Sequence, residues 1–464
     1  MTRRSFLAAS AVAAAAAAAA CSSSSSKSSG TTRASGGSQT TAGATTTTVP
    51  SHRQRVPGEL WDPSKPAGTD LLPQIEHIIV VMQENHSFDN YFGMLGRGDG
   101  FTLDASGKPT NTCLDASGKP VRAFPMANTC PVNNPSQNWD ASHEQWNNGK
   151  MDGFVKSPSG VGSMGYWDGT HLPFYYSMAK TFPLCDRWFC SVMAQTYPNR
   201  HFLMAGTARG DITTSIGTLT NPLPPNGTIM QSLDKHSIPW IDYYTDVPSV
   251  GLYLSYASAH AAQLRTAEQH FYADAAAGKL PPFCLVEPNF GKQSEENPQD
   301  ISVGEEFSSR VINAVMQSPN WAKTVLLFCY DEHGGYYDQV PPPAAPAPDG
   351  KGPNLQAGDV PGAYNRLGFR VPAVIVSPYA KKDYVSHVVH DHTSVLALVE
   401  HKFNLPALTH RDGWADDLLD SLDFDNPGFT TPPTLAAPLN HTARNADGIA
   451  QDICTFPSPI PAGV

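Results

Sequence analysis

Two short runs place acids and a histidine directly behind apolar stretches: Glu84-Asn85-His86 and Asp331-Glu332-His333. Together Glu84, Asn85, Asp331 and Glu332 offer three carboxylates and an amide oxygen. Carboxylates gathered closely repel one another and do not all ionise without a cation. A divalent ion resolves the conflict. The oxygen donors suit Ca, Mg or Mn, and His86 and His333 alongside keep Zn open. Taken singly, each run reads as well as a polar turn or a helix start. On two strands of one sheet the pair argues for a site. A third segment, "AQTYPNRHFLMAG", places the hydroxyl of Thr196 before a Pro-Asn-Arg turn. A hydroxyl beside a metal loses its proton more readily and becomes a nucleophile. Arg200 is available to steady an oxyanion. A cap or turn role is the competing reading of Thr196.

These side chains need strands to carry them. "IEHIIVVMQ" at 75–83 is short, β-branched and apolar, which predicts a buried strand ending at Glu84. "TVLLFCYDEHGGYYD" at 324–338 predicts a second, ending at Asp331. "VPAVIVSPY" at 371–379 predicts a third, with short strands at 238–244 and 282–286. Glu287 ends the last of these, either as a supporting carboxylate or as a turn residue. Helical spacing marks the start of 139–155, then 172–192 up to Pro183, and 391–405. "LDASGKP" occurs twice, at 103–109 and 114–120, and predicts a small hairpin excursion. Strands alternating with helices give an α/β sandwich with a mainly parallel sheet. In such sheets sites form beyond the carboxyl ends of the strands. The two acid-rich endings are therefore expected at one edge.

The chain has 464 residues, 31 Lys+Arg against 42 Asp+Glu, and a net charge of −11. That balance excludes a protein built on sequence-independent nucleic-acid binding. "TRRSFL" ahead of an Ala-rich run ending at Cys21 reads as a twin-arginine export signal over 1–20. "AAAC" makes Cys21 a candidate lipid acceptor, although Ala18 stands where such sites usually carry Leu; cleavage at a nearby A-x-A site is the alternative. The expected location is the cell surface or beyond, with membrane attachment through the lipid. A Ser/Thr-rich tether over 21–70 follows. Outside the cytoplasm disulfides are permitted. The spacing suggests local pairs Cys113/Cys130 and Cys185/Cys190, with Cys284 and Cys329 as buried thiols in apolar runs.

Six segments then occur in order: "IEHIIVVMQENHSFDNYFG", "GKMDGFV", "QTYPNRHFLMAGT", "YDEHGGYYDQVPPP", "GFRVPAVIVSPYA" and "DHTSVLALVEHKFNL". Over 74–405 the chain resembles the bacterial phosphoesterase family of phosphatidylcholine-type phospholipases C and the related respiratory-burst-inhibiting acid phosphatase. The resemblance implies an alkaline-phosphatase-like α/β/α sandwich, with 71–425 as the catalytic domain and 426–464 as a Pro-rich arm. It implies metal ligation by Glu84, Asn85, Thr196, Asp331 and Glu332. Thr196 corresponds to a nucleophile that forms a phosphothreonine, and His143 to a histidine contacting the phosphoryl group. Two positions depart from the family pattern. His86 replaces the Arg of "ENRSFD", and "SEENPQD" stands for "DDHPP", with Asn297 in the histidine position. Asn cannot donate the leaving group's proton, which leaves His333 and His392 as candidates. The expected function is an exported, metal-dependent phosphoric ester hydrolase of phospholipase C type. The alternatives are an acid phosphatase acting on soluble phosphomonoesters and a non-catalytic surface lipoprotein that binds an anionic ligand. "SMGYWDGTHLPFYY" at 163–176 is the candidate membrane-contacting loop, or else a buried aromatic edge.

Overall fold

The computed structural model describes residues 54–464 apart from 442, 447, 462 and 463. The export signal, Cys21 and most of the tether lie outside the described residues.

An eight-stranded sheet organises the fold. Its strands are β1 (His77–Gln83), β2 (Leu184–Cys185), β3 (Trp240–Tyr244), β4 (Leu264–Thr266), β5 (Phe283–Val286), β6 (Thr324–Tyr330), β7 (Ala373–Val376) and β8 (Val385–Ser386). The spatial order is β8-β2-β7-β6-β1-β5-β3-β4. β6, β1, β5, β3 and β4 run parallel, while β7 is antiparallel to both β6 and β2. A central parallel strand is covered on both faces and reads as a continuous apolar run. β1 does so: Ile78, Ile79, Val80 and Val81 are at most 1% exposed. Such burial is worth ~1.5–3 kcal/mol per side chain.

Helices cover both faces. Alternate side chains of a strand point to opposite sides. Gln83 donates to Ser308 Oγ at 2.7 Å, and Phe328 lies 4.9 Å from the ring of Tyr175. That face holds α2 (Pro173–Thr181) and α4 (Ile301–Met316). The other face holds α3 (Thr196–Ala205), which packs on α5 (Thr393–Lys402). α3 stops at Gly206, whose φ of 68° is the left-handed cap that glycine supplies without a Cβ penalty. One further helix, α1 (Trp139–Trp146), breaks into a tight turn at Asn147–Gly149, as its sequence suggested.

Three expectations are corrected. The packed chain starts before residue 71: Arg55 is buried and pairs with Glu400 at 2.7 Å. The disulfide is Cys130–Cys454, with Cys113, Cys185 and Cys190 unpaired and buried like Cys284 and Cys329. The short spacing between Cys185 and Cys190 is misleading because β2 ends at Cys185, the chain turns at 186–187, and the segment on either side of the turn is bonded to other segments. Asp186 N bonds Ser386 O, Phe189 N bonds His390 O and Cys190 N bonds Phe369 O. The partner of Cys130 comes instead from the C-terminal arm, which also bonds Pro131 O through Ser458 N. Finally, the aromatic loop at 163–176 faces inward: Tyr166, Trp167, Phe174, Tyr175 and Tyr176 are all buried. It is an aromatic edge of the core.

Candidate active site

The pairing of β1 with β6 decides where the two acidic runs emerge. Gln83 is in register with Tyr330, and Asp331 N donates to Gln83 O at 3.0 Å. Glu84-Asn85 and Asp331-Glu332 therefore leave the sheet side by side. Asn85 adopts φ 69°, a left-handed conformation that Asn tolerates better than most residues. Its N–H donates to Asp331 Oδ1 at 3.1 Å, and Glu332 N donates to the same oxygen at 2.7 Å. Gly334 closes the second loop onto the first. At φ 65° a Cβ there would lie 1.8 Å from Asn85 O. Both the backbone conformation and the close approach demand glycine. Gly334→Ala is expected to destabilise the fold by about 3 kcal/mol or more. Urea unfolding measures this, and an unchanged midpoint would show that the two loops are not pressed together.

The site is rich in negative charge and short of donors. Asn85 Oδ1, Asp331 Oδ2 and Glu332 Oε1 are buried without a hydrogen-bond partner. Burial first, and the neighbouring Glu84 second, push the Asp331 carboxyl up to about 7 against the pull of Arg200. Burial and Asp331 raise Glu332 well above the usual carboxylate range. Buried orphan oxygens cost free energy unless something positive meets them. This set of hard oxygen donors fits a divalent ion such as Mg, Mn or Ca. Glu84, Asp331 and Glu332 do not all bring an oxygen within 4.8 Å of one another, so ligation by all three requires side-chain rotation.

Arg200 is the counter-charge. Its guanidinium lies 3.6 Å from Asp331 Oδ2 and 3.9 Å from Glu84 Oε1. It bonds Glu287 Oε2 at 3.0 Å, Ser249 Oγ at 2.9 Å and Met82 O at 3.3 Å, and stacks 4.7 Å from the centre of the Phe290 ring. With these partners the group is committed to carboxylates, and the oxyanion role expected of Arg200 is not the one its geometry supports. Glu287 is thereby a supporting carboxylate. Thr196 is the first residue of α3 and 7% exposed, with Asn199 holding the preceding loop through Val192 N, Val192 O and Ala194 O. Residues four apart share a helix face, so Thr196 lies one turn above Arg200, at the positive end of the helix dipole.

The histidines differ from expectation. Gln145 gives its amide hydrogens to Ser136 O and Ser159 Oγ, so its Oε1 accepts from His333 Nε2 at 2.7 Å. His333 Nδ1 is then a bare acceptor 3.4 Å from Glu332, and burial lowers this histidine to about 3. His392 donates from Nε2 to Asp331 O at 2.7 Å and accepts from Trp188 Nε1 at 3.4 Å. Neither ring holds a proton free for a leaving group, which corrects that role for both. His143 donates from Nδ1 to Trp139 O at 2.7 Å and stacks on the Trp139 ring, with Nε2 beside Gly362. It lies two residues before Gln145 on α1. Asn297 accepts from Tyr336 at 2.8 Å. His86 is sandwiched between Tyr91 and Tyr336 at 4.3 and 5.0 Å, and bonds Asn90 and Glu295 O. It packs the wall behind Asn85. Gln145 and Ser249 carried no sequence signal of their own; each matters only through the side chain it touches.

An open cleft of about 440 Å³ runs from Asn138, Trp139 and Asp140 to Asp211, Thr213 and Ser215. Between its lining residues Thr213 and Ser215, Thr214 N bonds Gln195 Oε1 at 2.8 Å, immediately before Thr196.

A parallel-sheet edge carrying buried acids, beside a helix that starts with a hydroxyl, is the arrangement of an α/β protein with its site at the carboxyl ends of the strands. The comparisons specify it. The Phosphoesterase family profile matches residues 75–406, and the chain belongs to that family; it is a phosphoric ester hydrolase. It is 30% identical to phospholipase C A of Mycobacterium tuberculosis, over 79% of this chain and 81% of the relative. It is 31% identical to non-specific phospholipase C1 of Arabidopsis thaliana, over 74% of this chain and 69% of the relative. Among solved structures, a Vibrio parahaemolyticus protein of the alkaline phosphatase superfamily aligns over 78% of this chain and 75% of its own, at 9% identity and a TM-score of 0.36.

Proposed function

We propose that this chain is an exported, metal-dependent phosphoric diester hydrolase of phospholipase C type, with Thr196 as nucleophile. The observation that carries the metal reading is the set of buried oxygens on Asn85, Asp331 and Glu332 that accept no hydrogen bond, with the Arg200 guanidinium standing off at 3.6 Å from Asp331 Oδ2. Glu84, Asn85, Asp331 and Glu332, with the Thr196 hydroxyl, would hold the ion. When bound, it supplies Lewis acidity for the phosphoryl oxygens and lowers the pKa of the hydroxyl. Thr196 Oγ1 attacks phosphorus as its proton passes to water, the P–O bond to the leaving alcohol breaks and that oxygen takes a proton from water, and the threonine is left carrying the phosphoryl group with its remaining ester. Water then cleaves the P–Oγ1 bond and restores the threonine. Arg200 and Glu287 keep Asp331 and Glu84 in place. Trp188 and His392 hold the Asp331 backbone. The names of the relatives favour phospholipids as substrates. Export by the twin-arginine signal and anchoring at Cys21 belong to the same reading, because a lipid anchor would keep the enzyme at a membrane surface.

The test is hydrolysis of p-nitrophenyl phosphate, p-nitrophenylphosphorylcholine and a choline phospholipid, each with and without a chelator. Turnover of the two diesters above the monoester, abolished by chelator and restored by a divalent ion, is the expected outcome. Faster turnover of the monoester would favour the acid-phosphatase reading. No turnover of any ester by metal-loaded protein would favour a non-catalytic binding protein, the reading to which Asn297 points.

A further inference from the structure

Away from the site, one buried cluster has the composition of a cation site. His390, Asp416 and Asp420 each offer a ligand atom, and these atoms lie within 4.8 Å of one another. His390 is 1% exposed and Asp416 5%, with Asp420 at the rim. The chain turns between the two acids at Leu418, whose φ is 67°.

Hydrogen bonding fixes the state of the imidazole. Ser386 Oγ lies 2.5 Å from Asp420 Oδ2 and 3.1 Å from His390 Nε2. A carboxylate can only accept, so the serine gives its proton to Asp420. The serine oxygen must then accept from His390, and Nε2 carries the imidazole's hydrogen. In the neutral imidazole Nδ1 is then a bare lone pair, and the Asp416 oxygen it faces already accepts from Leu418 N at 2.9 Å. Nδ1 is buried, has no hydrogen-bond partner, and lies 3.6 Å from Asp416 Oδ1. A lone pair facing an anion inside a protein is unfavourable without a positive charge between them. The separation exceeds a hydrogen bond. It suits two donors sharing one ion at metal–ligand lengths of about 2.0–2.4 Å. The Nε2–H to serine contact is the kind of outer bond that fixes a ligating histidine's tautomer.

Asp420 Oδ1 lies 3.6 Å from Nε2, at the other nitrogen of the same ring. We propose that His390, Asp416 and Asp420 bind a structural divalent cation, with Nδ1 as the histidine's ligand atom, distinct from the carboxylates at the ends of β1 and β6. The mixed nitrogen and oxygen donors select Zn²⁺ or Mn²⁺ over Ca²⁺ or Mg²⁺. The ion would clip the 416–420 turn and the edge strand β8 to the segment leading through Asp391 to His392. The proposal is independent of the catalytic reading.

The test counts ions in the full chain after dialysis against Zn²⁺ or Mn²⁺. The background is an Asp331→Asn/Glu332→Gln double variant, in which two of the three carboxylates of the candidate active site are neutral. It is expected to retain one ion per chain. Adding His390→Gln removes that ion, together with the rise in melting temperature that the metal gives over chelator. Should His390→Gln fail to fold, Asp420→Asn at the rim takes its place with the same expected loss. A double variant that holds no ion, or an ion count that survives both substitutions in folded protein, overturns the proposal. If the catalytic metal reading alone is wrong, wild type and the double variant hold the same single ion, and His390→Gln still removes it.

Discussion

Thr196→Ala lowers kcat by roughly 10³-fold or more on every phosphoric ester the wild type turns over, with little change in stability. Alanine at the first position of a helix is well tolerated, and the substitution removes only a hydroxyl and a methyl group. The buried counter-charges stay in place, because Arg200 is held by Glu287, Ser249 and Met82 O, independently of Thr196. Thr196→Ser keeps the nucleophilic oxygen and should retain most of the activity. The pair of variants separates chemistry from folding. Equal activity in wild type and Thr196→Ala would remove the nucleophile from the account.

Asp331→Asn has a second large effect, in two directions. Asn at 331 keeps an oxygen for the N–H groups of Asn85 and Glu332, which bond Asp331 Oδ1 at 3.1 and 2.7 Å. It deletes a carboxylate that burial and Glu84 hold up to about 7. Activity is expected to fall by roughly 10²-fold or more as affinity for the divalent ion drops. In chelator, the same variant should melt no lower than wild type, and up to ~1 kcal/mol of stabilisation is expected from relieving the repulsion. With metal present the order reverses, since only wild type gains from binding. Thermal melts in chelator and in excess Mn²⁺ read both effects. A variant that melts several degrees lower in chelator would mean that Asp331 is a structural partner of Arg200 before it is a ligand.

The centre of the site was legible because it depends on strand ends. Apolar runs stopping at Glu84 and Asp331, combined with the rule for parallel sheets, were enough to bring the two acidic runs together, and the ladder from His77 to Gln83 against β6 does so. What was not legible depends on side chains far apart in sequence. Arg200 looked free to meet an oxyanion because nothing local announces Glu287 or Asp331 as its partners. His333 and His392 looked like proton donors because their acceptors, Gln145 Oε1 and Asp331 O, come from other segments. His86 was visible as a substitution for arginine, but its place between two tyrosine rings was not. Cysteine spacing failed for the same reason: the chain between Cys185 and Cys190 is tied to residues 369, 386 and 390 of other segments, while the arm returns Cys454 to Cys130 across 324 residues. His390, Asp416 and Asp420 form no motif at all, since they meet only through a turn and an edge strand.

The most direct measurement is acid-quenched mass spectrometry of enzyme mixed briefly with p-nitrophenylphosphorylcholine in the presence of the divalent ion. A phosphorylcholine or phosphoryl group on the peptide containing Thr196, absent with chelator and absent in Thr196→Ala, is the predicted result. Full turnover with no labelled Thr196 at any quench time, or a label on another residue, would contradict the account.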